Sequence, residues 1–167
     1  AARQGRPGIA VACTRKHLPG TKDVMLKAIM AGGCIPHRLG LSDSVLVFAQ
    51  HRAFLGRQPP HLWVAALRAA QPERKITVEA ESVDEVLWFA AAGVDAVQLN
   101  KLSPEQVADA VRAMASLPKR PLVVVAGDVT EANAAAYAAA GAGLLVTSAP
   151  YAAAPADISV TLTAAAS

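Results

Sequence analysis

A chain of 167 residues, 53% apolar and only 17% charged, can bury a real core and is too apolar to stay disordered. It has no apolar run of the ~18 residues that a membrane helix needs, and no compact apolar leader with a cleavage site is visible. The net charge of +3 hides a division: residues 1–75 carry 12 Lys and Arg against 3 Asp and Glu, whereas residues 76–167 carry 4 against 10.

Ile9-Ala10-Val11-Ala12 is a short apolar strand that runs into Thr14-Arg15-Lys16-His17 and a Pro19-Gly20 turn. Asp23 to Ala31 reads as a helix closed by Gly32-Gly33, and Val45 to Phe48 as a strand. Pro60 to Arg74 has helical spacing through Leu62, Val64, Leu67 and Ala70, and Ile76 to Glu79 is a strand. Three punctuated helices follow. Ser82 with Glu85 and Ser103-Pro104-Glu105-Gln106 are capping starts, Thr130 caps the third, and Gly93 and Gly141 act as stops. Between them Ala96 to Leu99, Leu122 to Val125 and Leu144 to Val146 are continuously apolar, as in strands covered on both faces.

The order is β-α repeated about six times, which gives a parallel sheet. Phe89-Ala-Ala-Ala-Gly93 and Tyr137-Ala-Ala-Ala-Gly141 repeat one unit 48 residues apart. The expected fold is therefore α/β, a parallel βα barrel that is incomplete, with about six to seven strands in a single domain over residues 1–167. A complete eight-unit barrel takes about 250 residues.

Working groups in such a fold gather at the C-terminal ends of strands. Those ends offer Arg15, Lys16 and His17, then Phe48, Gln50, His51 and Arg52. Glu79 and Glu81 follow, only one expected to point inward, then Asn100, Lys101, Gly127, Asp128, Thr147 and Ser148. His37-Arg38 precedes the second strand. Recurring cations point to an anion site, since Arg forks onto carboxylate or phosphate and Lys adds a point charge. Gly127 lets backbone approach a ligand. The basic half lacks interleaved aromatics, so nucleic acid is not the expected partner. Cys13 and Cys34 form no CxxC pair, and two cysteines make no disulfide framework, which fits a reducing, cytoplasmic setting. Cys34 with His37 supplies two ligands where structural zinc takes four.

Thr14-Arg15-Lys16-x-x-Pro19-Gly20, Gly32-Gly33 and His37-Arg38-Leu39-Gly40-Leu41-Ser42-Asp43 resemble the quinolinate phosphoribosyltransferase (nicotinate-nucleotide pyrophosphorylase) family. Val78-Glu79, Leu99 to Glu105 and Asp157-Ile158-Ser159 continue the match in order. Pro36, His51 to Phe54 and Thr147 to Tyr151 resemble its ModD branch, named for molybdenum-transport operons. The resemblance covers the barrel portion and implies a small N-terminal domain ahead of it that this chain does not contain. It also implies transfer of phosphoribose from phosphoribosyl pyrophosphate (PRPP) to a nitrogen-containing acid, with Mg²⁺ and release of pyrophosphate, in a cytoplasmic homodimer or higher assembly.

By that resemblance Arg15 and Lys16 meet acid or pyrophosphate groups, His37 and Arg38 hold the acid's carboxylates, and Glu79 sits near the ribose or its metal. Gly127 with Thr147-Ser148 would cradle the 5′-phosphate. The resemblance leaves Lys16 and Glu79 as the catalytic candidates and Phe48, His51 and Asn100 as further substrate contacts. Phe48 stands where the family has Lys, Asn100 where it has Asp, and Ala126-Gly127-Asp128 where it has Ser-Gly-Gly. Losing a cation weakens the case for a dicarboxylate, and losing a carboxylate weakens Mg²⁺ coordination. A non-catalytic phosphoribosyl-ligand binder, linked to molybdenum transport, is the alternative expectation.

Overall fold

Seven short strands, each joined to the next through a helix or loop on the outside, build one parallel sheet in the computed structural model, which describes residues 1–164. In chain order the strands are β1 (Ala10–Cys13), β2 (Ile35–Pro36), β3 (Val45–Val47), β4 (Ile76–Ala80), β5 (Ala96–Asn100), β6 (Leu122–Ala126) and β7 (Leu144–Thr147). The helices are α1 (Ala2–Gly5), α2 (Lys22–Ala31), α3 (Ala49–Arg52), α4 (Pro60–Ala70), α5 (Val83–Ala91), α6 (Pro104–Ala113) and α7 (Glu131–Ala139). The sheet order is β2-β1-β7-β6-β5-β4-β3, and every pairing is parallel. It curls into a half-barrel whose edges, β2 and β3, do not pair.

Strand alternation divides the core into two layers. One face of β3 to β7 carries Val47, Ile76, Val78, Val97, Leu99, Val123, Val125 and Leu145. These pack under Trp63 and Val64 of α4, Phe89 of α5, Val107 of α6 and Tyr137 of α7. The other face points into the curl, where Ala12, Ala96, Val124, Ala126 and Val146 form a small cluster of their own. Three alanines there keep the interior roomy. The same inward parity continues along β4 and β5 to Glu79, Gln98 and Asn100, nearer the C-terminal ends.

Helix starts follow their local chemistry. Ser82 Oγ accepts from Glu85 N–H, and Ser103 and Gln106 cap each other reciprocally. Thr130 N–H donates to Asn133 Oδ1 at 2.8 Å. The helix expected over 60–74 ends at Ala70, because Pro72 follows at once. Glu79 is buried and Glu81 exposed. Alternation is not what separates them, since residues two apart share a face; β4 ends at Ala80, so Glu81 lies beyond it. Three elements carry no sequence signal: α1, which packs on α7, the two-residue β2, and α3.

Candidate anion site at the open end of the half-barrel

The strand ends enclose one large open cavity of about 1280 Å³. Its lining includes Arg15, Lys16, Lys22, Arg38 and Lys101 as cations and only Glu79 and Asp128 as carboxylates. Among the described residues none of these five cations joins an ion pair; the pairs found are Arg52–Glu85, Arg68–Asp95 and Arg112–Asp109. Lys22 Nζ donates to the Leu39 carbonyl at 3.2 Å, which holds it at the rim. A concave surface with this balance concentrates positive potential where a ligand would enter.

Backbone strain collects at the same place. Arg38, Lys101 and Asp128, with φ of 63°, 60° and 56°, are the non-glycine residues in the left-handed region among the described residues, and all three line the cavity. Each costs roughly 1–2 kcal/mol relative to right-handed backbone, and such strain gathers at binding sites. Gly127, at φ 82°, sits among them. A Cβ there would stand 2.7 Å from Lys101 Cγ and 2.8 Å from Asn100 Oδ1, so only glycine lets the β6 end lie against the β5 end.

Inside the rim the floor is polar and nearly dry. Glu79 is 7% exposed and Gln98 4%, facing each other across the β4–β5 ladder. Gln98 Nε2 donates to Glu79 Oε2 at 3.1 Å. Burial pushes the Glu79 carboxyl up from its ordinary value. The Gln98 bond and the charges of Arg52 and Lys16 pull the other way, and Glu81 adds to the rise. His37 is held below the usual histidine value by burial and then by the Arg38 charge, with Asp43 partly opposing. Arg38 is itself lowered by burial and by Arg15. Two cations press on each other here, and a bound anion would relieve both.

Of the residues singled out in the sequence, Arg15, Lys16, His37, Arg38, Phe48, Glu79, Asn100, Gly127, Thr147 and Ser148 all line this cavity. His51 does not. It stands behind Phe48, accepting the Phe48 N–H on Nδ1 at 3.1 Å with the two rings 5.5 Å apart, so it fixes the entry to α3. Arg52 is also turned away, pairing with Glu85 at 2.9 Å over the Phe89 ring. Thr147 lines the wall with its hydroxyl already committed. It donates to the Val129 carbonyl at 2.6 Å and accepts from Ala149 N–H, so it has no proton to offer an anion. Ser148 shares a 2.6 Å hydrogen bond with Thr14, whose carbonyl accepts from the Tyr151 hydroxyl. Gln98 was missed in the sequence because it sits mid-run in a strand; inward parity with Glu79 is the signal that finds it.

No group of three or more His, Cys, Asp or Glu side chains able to hold a metal occurs among the described residues. A cage made of protein ligands alone therefore does not fit the site. A Mg²⁺ that arrived with most of its ligands would fit, with Glu79 or the Asn100 oxygen supplying the one or two protein contacts such an ion commonly takes.

Residues 1–161 match the family described as quinolinate phosphoribosyl transferase, C-terminal domain. The ModD protein of Rhodobacter capsulatus, whose pyrophosphorylase designation is provisional, is 50% identical over 135 residues, 81% of this chain and 52% of that one. The NadC structure from Streptococcus pyogenes superposes with a TM-score of 0.73 at 28% identity, covering 83% of this chain and 47% of that one. The nicotinate-nucleotide pyrophosphorylase structure from Francisella tularensis gives 0.74 at 25% identity, covering 84% and 49%. The chain spans about half the length of the curated relatives it matches.

Proposed function

The chain belongs to the quinolinate phosphoribosyl transferase C-terminal domain family, and from that premise we propose that it carries the active-site half of a phosphoribosyltransferase of pyrophosphorylase type. PRPP, brought with Mg²⁺, is the donor and a nitrogen-containing acid the acceptor. The observation that carries this reading is the cavity at the strand ends where five cations, in no ion pair among the described residues, face two carboxylates.

In the reaction the acceptor nitrogen supplies the electron pair for a new bond to the anomeric carbon. The bond from that carbon to the pyrophosphate oxygen breaks, and its electrons leave with pyrophosphate. Arg15 and Lys16 balance the charge that grows on the leaving group, which is electrostatic catalysis by preorganised cations. Glu79 faces the ribose ring and its developing positive charge. Arg38 and His37 orient the acid so that its nitrogen meets the anomeric carbon. The 5′-phosphate falls to the Gly127 turn and the Ser148 hydroxyl, since Thr147 has given its proton to Val129. A cytoplasmic homodimer or higher assembly accompanies this reading; both cysteines are free thiols.

Equilibrium binding of PRPP with Mg²⁺, competed by inorganic pyrophosphate, tests the site. The protein used is the chain together with whatever its gene encodes ahead of residue 1. Micromolar binding with competition is the expected result, and no binding contradicts it. One observation favours a second reading, a binder without turnover. With Asn100 in place, Glu79 is the one carboxylate on the floor among the described residues, so binding with no pyrophosphate release would select that reading.

A further inference from the structure

The floor of the cavity holds an unpaired acceptor. Gln98 uses Nε2 on Glu79, and its Oε1 is buried with no hydrogen-bond partner among the described residues. With Glu79 ionised the amide is fixed in this sense, because reversing it would set Oε1 against a carboxylate oxygen. Leaving a buried carbonyl-type oxygen unpaired costs about 1–3 kcal/mol. Its neighbour across the β5–β6 ladder is Val124, which has no side-chain donor. Gln98 is itself one of the residues that line the cavity, so a ligand seated there lies next to this amide.

Phosphate, pyrophosphate and carboxylate groups present acceptors at neutral pH and suit the cationic rim. The floor has the opposite polarity: Gln98 Oε1 lies beside a Glu79 carboxylate with only Oε2 engaged by protein. We propose that Gln98 is a specificity-determining residue whose Oε1 accepts a hydrogen bond from an O–H or N–H of the bound ligand. It thereby seats the hydroxyl-bearing or amine-bearing part on the floor and turns anionic groups away. This rests on the phosphoribosyl reading above and adds to it a residue to which the family resemblance assigns no part. The assignment predicts that the acceptor amide, rather than the volume of the side chain, sets the selectivity.

The test compares Gln98→Met, close in volume and without the acceptor, with the parent, using four probes: ribose 5-phosphate, inorganic pyrophosphate, nicotinate and 2-aminonicotinate. The expected result is a roughly tenfold or greater loss of affinity for a donor-bearing probe, with pyrophosphate and nicotinate within about twofold. Loss for ribose 5-phosphate identifies a sugar hydroxyl as the source, and loss for 2-aminonicotinate alone identifies an amine. If the parent binds pyrophosphate and ribose 5-phosphate and Gln98→Met binds all probes as the parent does, the proposal is overturned and the phosphoribosyl reading stands. If the parent binds neither ribose 5-phosphate nor 2-aminonicotinate, the proposal and the phosphoribosyl reading fall together. Thermal melting checks the fold of the variant, and Gln98→Leu replaces it if Gln98→Met does not fold.

Discussion

Gln98 Nε2 donates to Glu79 Oε2 across 3.1 Å between adjacent parallel strands, on the side of the sheet that faces the cavity. The bond orients a carboxylate that burial would otherwise leave poorly solvated. It holds the floor of the site in one geometry before any ligand arrives.

The Glu79 carboxyl is pushed up chiefly by burial, so the folded chain holds that proton to a higher pH than the unfolded chain does. Stability from this group is full below the unfolded value and is lost as pH rises through the folded value. Glu79→Gln should therefore melt higher than the parent at pH 7–8, with the difference closing at about pH 4 and below. A melting difference that is the same at both pH values would show that ionisation of Glu79 is not the cause.

Arg15 and Arg38 should each matter to ligand binding far more than to folding. Charge-assisted hydrogen bonds contribute about 1.5–3 kcal/mol, so Arg15→Ala and Arg38→Ala should each weaken PRPP binding roughly 10- to 100-fold. Arg15 makes no side-chain hydrogen bond or ion pair among the described residues and is exposed, so Arg15→Ala should shift stability by no more than about 0.5 kcal/mol. Calorimetry with parallel melting checks both; parent-like binding by both variants would remove these residues from the site.

Gly127→Ala should damage fold and site together. Its φ of 82° strains any Cβ-bearing residue by roughly 1–2 kcal/mol, and the new Cβ meets Lys101 Cγ and Asn100 Oδ1. A fall of several degrees in melting temperature is expected (~2–4 °C per kcal/mol for a chain this size), with weaker ligand binding as Asn100 is displaced. Unchanged melting would mean that the β5 and β6 ends do not lie as close as they do here.

His37 is lowered first by burial and then by Arg38. An anion beside it would restore the proton, so binding should strengthen as pH falls from 8 toward about 6. Calorimetry in two buffers of different ionisation heat should show proton uptake, reduced in His37→Asn. Equal uptake by parent and variant would assign the proton to the ligand's own phosphate.

Legibility in the sequence followed the range of the interactions. β4, β5, β6 and β7 lie within a residue of the apolar runs that predict them, because each run is covered on both faces and flanked by caps or glycines. β2 has two residues and exists through its pairing with β1, and α1 through its packing on α7, contacts distant in sequence. At the site, Arg15, Lys16 and Glu79 were readable as strand ends. The commitment of the Thr147 hydroxyl to Val129 and the retreat of His51 behind Phe48 depend on neighbours that periodicity does not reveal.

The most direct measurement is pyrophosphate release from PRPP with Mg²⁺ across a panel of pyridine and related nitrogen acids, quinolinate included. The chain is assayed together with any segment its gene encodes ahead of residue 1. Release that depends on one acceptor and is abolished in Arg15→Ala is the predicted result. No release with any acceptor, from a protein that binds PRPP tightly, would contradict the transferase and leave a binding protein, with Asn100→Asp the first variant to assay for restored turnover.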